Sequence, residues 1–230
     1  SSKILKNKNF IKFFNINNLK NSKKKYDLIT MIHVLEHLNK PSEVLSIIGE
    51  KLKKNGIIFI QIPNFFLNPF DLSVYDHTIH FDIDSLSELA KVSNLKIIKI
   101  DKEFMNGEFS IILKKTNKKE NIKRSKISIL EKVNCFNRFK KNISNISKIK
   151  NMSILGTSIS SLCIKHNFKG KINNFYDEDR SKIGKYFENK KIKEIEKKDE
   201  RNLFLPFSDK KLLSVKKRIK KNYNYKLICW

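Results

Sequence analysis

Strand-like and helix-like patterns alternate through the first half of the chain, and this alternation constrains the fold more than any other feature. Short apolar runs rich in β-forming residues predict strands at residues 9–15, 26–32, 57–62, 95–101 and 108–115. Helical spacing predicts one helix from Pro41 as far as Gly56, and a second from Asp84 or Ser85 with Ser85 and Glu88 as a capping box. Strands that alternate with helices are typical of a parallel sheet, so we predict an α/β fold.

A second α/β pattern follows a stretch rich in lysine and asparagine. Within residues 116–150 a linking amphipathic helix is predicted from apolar residues at three-residue spacing, namely Ile127, Leu130, Val133, Phe136 and Phe139. Beyond it, strands are predicted at residues 152–155, 172–177, 202–206 and 225–230, and helices at 159–166 and 209–221. The predicted domains are therefore a partial Rossmann-like sheet in residues 1–115, the linking helix in 116–150 and a second, smaller Rossmann-like domain in 151–230.

The chain is strongly basic, but its composition does not favour a nucleic-acid partner. The formal net charge of +26 comes from 49 basic residues, of which only five are arginines: Arg124, Arg138, Arg180, Arg201 and Arg218. Proteins that read nucleic acids tend to use arginine because its guanidinium group bonds in a bidentate fork. We therefore expect no nucleic-acid partner.

Cysteine usage and hydropathy bear on where the protein works. Cys135, Cys163 and Cys229 are odd in number and lack CxxC spacing, so we predict no disulfide framework and a reduced, cytoplasmic setting. No apolar run approaches the roughly 18 residues of a membrane span, and no signal peptide is visible. We expect no membrane partner.

Polar residues come directly after the predicted strand at residues 26–32. His33, Glu36 and His37 lie there, and open α/β sheets bind ligands beyond the carboxyl ends of their strands. The same letters form H-x-x-E-H, which occurs in inverted zinc peptidases, but that site needs both histidines on one face of a long helix. Pro41 begins a new element too soon for such a helix, so we predict no metal site.

The stretch from residue 26 to residue 64 carries, in order, Tyr26-Asp27-Leu28-Ile29, Val34-Leu35-Glu36-His37-Leu38, Pro41, Gly56 and Ile62-Pro63-Asn64. This order of motifs resembles the fourth and fifth strands of class I S-adenosylmethionine-dependent methyltransferases. The resemblance implies that S-adenosylmethionine is the cofactor, that Ile32, His33, Val34 and Glu36 border it, and that Asn64 borders the substrate. A doubly wound sheet of another function remains the alternative.

Residues 74–86 resemble a segment of the sugar C-methyltransferases that reads roughly YHEHLSYFSxxSL. Asp76 and His77 take the positions of its Glu-His pair, and His80 takes that of an aromatic residue. Val74 stands where the family has tyrosine, although Tyr75 is adjacent. The resemblance implies catalytic roles for Asp76, His77, His80 and Tyr75, and for His37, which matches a histidine of the family.

The chemistry of carbon methylation explains why a histidine would be needed. A base must remove a C–H proton next to a ketone before the enolate attacks the sulfonium methyl group. Histidine suits this role because its ordinary pKa is about 6.5, and a neighbouring carboxylate can orient it. We predict His77 as the general base and Asp76 as its orienting partner. Loop histidines bonded to the backbone are the alternative for His77 and His80.

A third pattern, Gly156-Thr157-Ser158-Ile159-Ser160-Ser161 with Asp177 after the next strand, is a partial dinucleotide fingerprint. Serines replace two of its glycines, yet the helix N-terminus can still bind an anion. This unit is similar to the C-terminal Rossmann-like domain of the sugar C-methyltransferases, which helps to hold a nucleotide-linked sugar. The resemblance implies that Gly156, Ser158 and Asp177 bind that substrate.

Two segments of the family are missing from this sequence, namely the glycine-rich cofactor loop and the cysteine-rich zinc segment. Either the chain is a truncated copy of a longer enzyme or it has lost cofactor binding, and we favour truncation. We interpret the chain as the C-terminal part of a longer methyltransferase that methylates a nucleotide-linked keto sugar at carbon. An O- or N-methyltransferase with the same scaffold, and a non-catalytic module that binds sugar nucleotides, are the alternatives.

Overall fold

A computed structural model of the chain describes residues 15–117, 129–196, 202–207 and 209–229. Its helices are α1 (Ile16–Asn21), α2 (Pro41–Glu50), α3 (Ile83–Val92), α4 (Ile129–Ile146), α5 (Ile159–Asn167) and α6 (Asp209–Asn222). Its strands are β1 (Tyr26–Ile32), β2 (Leu52–Pro63), β3 (Leu95–Asp101), β4 (Glu108–Lys115), β5 (Asn151–Leu155), β6 (Lys171–Tyr176), β7 (Tyr186–Phe187), β8 (Lys190–Lys193), β9 (Asn202–Leu205) and β10 (Lys226–Cys229). The predicted strand at residues 9–15 falls outside the described residues except for Asn15, whose side chain caps α1.

The first sheet has four strands in the order β1-β2-β4-β3. β1 and β2 are parallel, with Ile32 opposite Gln61, and α2 connects them. β4 runs antiparallel to both β2 and β3. The carboxyl ends of β1 and β2 therefore lie side by side, and the loops that follow them meet at one edge of the sheet.

Two helix boundaries differ from the prediction. α2 ends at Glu50, because Leu52 already pairs with Tyr26 in the β1–β2 ladder instead of continuing the helix to Gly56. α3 begins at Ile83, because Asp82 and Ser85 form the capping box and Ser85 and Glu88 do not. The Asp82 carboxylate accepts a bond of 2.8 Å from the Ser85 amide, and the Ser85 hydroxyl accepts one of 2.9 Å from the Asp82 amide.

The linking helix α4 buries a different face from the predicted one. Leu130, Val133 and Phe136 are 66%, 46% and 48% exposed. The buried residues are Cys135 and Ile146, and Phe139 and Ile143 pack partly buried against the core. Their spacing of three or four residues follows one face of a helix, whereas strict three-residue spacing drifts around it. Residues 118–128 of the predicted linker lie outside the described residues.

The second sheet has six strands in the order β10-β9-β5-β6-β8-β7, so it has more strands than the first. All its pairs are parallel except β7 with β8. Met152 and Ile154 of β5 and Phe204 of β9 are 0% exposed, as expected for central strands covered on both faces. The two sheets confirm the predicted α/β class.

The turn at Pro69–Ser73 joins the two sheets. It is a short 3-10 helix in the loop after β2, and Phe70 on it is buried in a cluster with Ile146 of α4 and with Met152 and Phe175 of the second unit. The Phe70 ring meets that of Phe139 edge-to-face, with 6.1 Å between centroids. Across the described residues, no helix is both long enough and apolar enough to cross a membrane.

Candidate functional site

The candidate site lies where the loops after β1 and β2 meet. The chain turns sharply at His33, whose φ of 50° is in the left-handed region, and enters the short 3-10 helix Leu35–His37. The loop after β2 folds back over this turn, because the Thr78 amide donates to the Glu36 carbonyl at 2.9 Å. The contact brings residues 33–37 together with residues 71–80.

Asp71 holds two histidines at once. Its Oδ1 lies 2.6 Å from Nδ1 of His77, and its Oδ2 lies 2.6 Å from Nδ1 of His80. The Asp71 side chain is 3% exposed, and those of His77 and His80 are 10% and 29% exposed. A buried carboxylate that accepts from Nδ1 fixes the tautomer and leaves Nε2 as the nitrogen that can accept a proton.

Asp76, the predicted partner of His77, contacts His37 instead. Its Oδ2 and its backbone carbonyl lie 3.2 Å and 3.1 Å from Nδ1 of His37. The His37 and His77 rings meet edge-to-face at 4.7 Å between centroids. The structure thus assembles a continuous set of polar groups from His80 through Asp71, His77 and His37 to Asp76, with the carboxylates distributed differently from the prediction.

Glu36 and His33 form a second polar contact at the end of β1. The His33 ring places Nδ1 3.2 Å from Glu36 Oε1 and Nε2 3.2 Å from Glu108 Oε1. Glu36 is 1% exposed, and its Oε2 has no hydrogen-bond partner among the described residues. Carboxylate oxygens buried in this way are rare, because an unmet buried charge is costly.

The other residues predicted around the cofactor and the base differ in exposure. Ile32 and Val34 are 52% and 40% exposed at the carboxyl end of β1. Tyr75 is fully exposed. Asn64 is buried and shapes the loop after β2. Its backbone N–H donates to the Gly107 carbonyl at 2.9 Å, and its side-chain Oδ1 accepts from the backbone N–H of Phe66 at 3.2 Å.

The three residues predicted to bind substrate in the second unit line one cavity of about 460 Å³. Gly156, Ser158 and Asp177 form one wall, and Asn68 and Gly107 from the loops of the first sheet also line it. Gly156 has a φ of 97°, so glycine suits this turn at the end of β5. Asn64, the fourth residue predicted to bind substrate, does not line this cavity.

The Asp177 carboxylate lies at the N-terminus of α5. Its Oδ2 accepts from the Thr157 amide at 3.1 Å and from the Thr157 hydroxyl at 2.5 Å, and Lys182 Nζ lies 3.3 Å away. Burial raises the pKa of Asp177, but these bonds and the bond from the Asp179 amide lower it by a larger amount, so the net shift is downward. The carboxylate therefore already fills part of the position where we predicted a bound anion.

Basic residues around the cavity are mostly paired with carboxylates. Arg218 binds Glu178 through Nε at 3.0 Å and Nη2 at 2.5 Å. Lys211 instead lies over the Phe207 ring, with Nζ 5.0 Å from the centroid. Within the described residues Lys211 contacts an aromatic ring and not a carboxylate. Its ammonium group is therefore available to an anion in the cavity.

Asp71 and Glu108 were missed by the sequence reasoning. Asp71 follows Pro69-Phe70 in a loop with no recognisable motif, and Glu108 stands at the start of β4, which is separated from β1 by β2. A signal for Asp71 was available, because two histidines within ten residues of one aspartate in the same loop can converge on it. Glu108 reaches His33 only through the β2–β4 register, in which it pairs with Pro63.

Residues 2–100 match the model of a protein family described as a methyltransferase domain. No curated protein matches the chain significantly. Three similar solved structures are an S-adenosylmethionine-dependent methyltransferase from Clostridium acetobutylicum, the N,N-8-amino-8-demethyl-D-riboflavin dimethyltransferase from Streptomyces davawensis, and an O-methyltransferase from neocarzinostatin biosynthesis in complex with S-adenosylmethionine.

The likeness to each of these structures covers only part of both chains. The Clostridium protein is 14% identical with a TM-score of 0.35, over 45% of this chain and 62% of that one. The Streptomyces enzyme is 14% identical with a TM-score of 0.38, over 43% and 32%. The neocarzinostatin enzyme is 13% identical with a TM-score of 0.37, over 42% and 31%. In each case the chain spans less than two thirds of the similar protein, and it is residues 2–100 that are similar in sequence to a methyltransferase domain.

Proposed function

We propose that this chain belongs to an enzyme that transfers a methyl group from S-adenosylmethionine to a small molecule. The proposal is supported by the family match over residues 2–100. The observation that carries it is the Asp71–His77 pair at the carboxyl ends of two parallel strands, because substrates of α/β enzymes bind at that edge. We propose a cytoplasmic enzyme on the basis of three cysteines that are all free.

We propose that the cofactor lies against the end of β1. Ile32 and Val34 offer half-exposed apolar side chains there, and His33 and Glu36 add polar atoms beside them. These residues fit one side of an adenosyl ligand, since such sites combine apolar walls with a few placed polar groups. The sequence contains no Gly-x-Gly loop, so the opposite side of the cofactor would need other residues. Bound S-adenosylmethionine supplies the electrophilic methyl group.

In this proposal His77 is the general base. Nδ1 of His77 faces the Asp71 carboxylate, so Nε2 takes the proton from the carbon beside a substrate ketone. The electron pair of that C–H bond stays on the substrate as an enolate, the nucleophile to which S-adenosylmethionine, when bound, would supply its methyl group, leaving S-adenosylhomocysteine. Asp71 stabilises the imidazolium that forms, the orienting role that the sequence assigned to Asp76.

The remaining residues near His77 take positioning roles in the proposal. The His37 ring meets that of His77 edge-to-face and is held by Asp76, so it positions the base. His80 occupies the other oxygen of Asp71 and keeps that carboxylate in place. Tyr75 is fully exposed, so in this proposal its side chain would contact the substrate when the substrate is bound.

We propose a nucleotide-linked keto sugar as the substrate. The cavity of about 460 Å³ between the loops of the two sheets suits a ligand of this size. Lys211 is available to a diphosphate, and Gly156, Ser158 and Asp177 would contact the nucleotide or the sugar. Asn64 would act through the loop that it shapes. In this proposal residues 1–115 perform the transfer, 116–150 link, and 151–230 hold the substrate.

O-methylation is a second candidate, because the same pair has the chemistry to deprotonate a hydroxyl group. The two reactions differ in one measurable step. A base that removes a C–H proton exchanges that hydrogen with solvent even when no cofactor is bound, whereas an O-methyltransferase leaves the C–H bond intact. Hydrogen exchange from a keto sugar nucleotide in D₂O therefore separates them.

The test uses the full-length gene product with S-adenosylmethionine and a set of nucleotide-linked keto sugars. We expect methyl transfer, deuterium exchange next to the ketone, and a loss of about 10²- to 10⁴-fold in both rates in His77→Asn. His166→Asn is the matched control, since that histidine is 60% exposed on α5 and its Nε2 lies 3.9 Å from the Glu188 carboxylate. Methyl transfer without exchange would favour O-methylation, and no binding of S-adenosylmethionine by calorimetry would refute the enzyme class.

A further inference from the structure

One oxygen of the buried Glu36 carboxylate has no hydrogen-bond partner among the described residues. Its Oε1 meets His33 at 3.2 Å, but its Oε2 has no hydrogen-bond partner within the described part of the chain. The residue is 1% exposed, so water does not solvate this oxygen freely. Buried charges in proteins are paired, neutralised or bound to metal ions.

Two imidazoles lie within reach of this carboxylate. Glu36, His37 and His77 each offer one ligand atom, and these three atoms lie within 4.8 Å of one another. Nδ1 of His37 faces Asp76 and Nδ1 of His77 faces Asp71, so in both rings Nε2 is the nitrogen without a partner among the described residues. Histidines that bind metals usually present one nitrogen to the ion and bond the other to a carboxylate or carbonyl.

We infer that Glu36, His37 and His77 form a binding site for a divalent transition metal of the zinc class. Two imidazole nitrogens and one carboxylate oxygen are a donor set that zinc accepts, and three protein ligands leave a position open for water or substrate. Asp71 and Asp76 are the outer carboxylates that orient the two rings. This inference is independent of methyl transfer.

A neighbouring set, Asp71 with His77 and His80, also lies within 4.8 Å but is a poorer candidate. Both oxygens of Asp71 already accept bonds of 2.6 Å from the two rings, so this carboxylate is satisfied without an ion. Glu36 is not. The two sets share His77, and substitution of the other histidines therefore distinguishes them.

Metal binding and base chemistry exclude each other at His77. An ion on Nε2 takes the lone pair that would accept a proton, so the metal-loaded site holds no free base. A divalent cation should consequently inhibit any reaction that uses His77, and removal of the cation with a chelator should restore it.

The inference is tested on the 230-residue chain itself. Cobalt(II) is titrated and followed by its visible absorption, and zinc binding is measured by calorimetry. We expect one ion per chain, and a loss of affinity in Glu36→Gln and His37→Ala that exceeds the roughly 10- to 100-fold cost of losing an outer-shell partner. Asp71→Asn should lose about 10- to 100-fold.

His166→Ala is the matched control and should bind as the wild type does. His80→Ala removes one partner of Asp71 and should lose no more affinity than Asp71→Asn does. Far-UV circular dichroism verifies that each variant is folded, and His37→Gln replaces His37→Ala if the smaller residue unfolds the loop. The inference is overturned if the wild-type chain binds no ion, if Glu36→Gln and His37→Ala keep full affinity, or if His80→Ala removes binding. None of these readouts depends on S-adenosylmethionine, so they are separate from a failure of the proposed reaction.

Discussion

Truncation of Phe70 to alanine should lower the free energy of unfolding by about 3–5 kcal/mol. The Phe70 side chain is 2% exposed and packs among Met152, Ile154 and Phe175 of the second unit although it belongs to the loop after β2. Burial of a whole phenylalanine side chain contributes about 1.5–3 kcal/mol, and the cavity left between the two units accounts for the rest.

The measurement is urea unfolding followed by circular dichroism, with Phe136→Ala as the matched control. Phe136 lies on α4 and is 48% exposed, so the same truncation there should change the free energy of unfolding by about 0.5 kcal/mol or less. If Phe70→Ala costs no more than Phe136→Ala, the turn at Pro69–Ser73 does not anchor the two sheets and the packing described above is refuted.

Three further predictions concern single contacts. Asp82→Ala removes the cap of α3 and an ion pair to Lys132, so we expect a loss of about 1–2 kcal/mol in urea unfolding at neutral pH. Burial raises the pKa of Asp82, but the bonds from Lys132 and Ser85 lower it by more, so the net shift is downward. This stabilisation is therefore present above the unfolded-state pKa and is lost as the pH falls through the lowered folded-state pKa. Equal losses at neutral and acidic pH would contradict the assignment. Asp177→Asn should show the same pH dependence, since the net pKa shift of Asp177 is also downward; a variant as stable as the wild type at neutral pH would exclude its role at the α5 N-terminus. Gly170→Ala places a methyl carbon 2.5 Å from two backbone carbonyl oxygens, of Ile149 and Lys150, and should lower the thermal midpoint by several degrees, whereas an unchanged midpoint would mean that this turn is wider than described.

Sequence patterns predicted the strands of the first sheet well because they rest on local chemistry. β1, β3 and β4 have the predicted bounds, since each is a largely apolar run flanked on both sides by polar residues or glycine. The predicted end of α2 and the predicted start of α3 were wrong, because in each case a second structure fitted the same local sequence. Leu52 fits the helical spacing of α2, but its pairing with Tyr26 decides its structure. Asp82 and Ser85 satisfy the same spacing rule one turn earlier than the predicted box.

The candidate site was predicted in part, because its histidines carry a motif and its carboxylates do not. His33, His37, His77 and His80 were identified from their sequence context. The partner of His77 depends on how the loop after β2 folds back, and the nearest carboxylate in sequence, Asp76, turns to His37. The β7–β8 hairpin was missed for a related reason. Its strands are two and four residues long, and Lys190–Lys193 carries three lysines, so no apolar run marks it.

Among the described residues one edge of β1 is unpaired, and this has a consequence for how the protein behaves in solution. Within the described residues β1 pairs with β2 alone, and Leu28 and Ile32 are each 52% exposed along it. An open strand edge with apolar side chains is a template on which a second molecule can add a strand. Copies that each carry a net charge of +26 repel one another at low ionic strength, but the range of that repulsion shrinks from about 10 Å in 0.1 M salt to about 3 Å in 1 M salt. Salt should therefore drive this chain from dispersed monomers towards edge-to-edge aggregates, the reverse of what high salt does for proteins that associate through opposite charges.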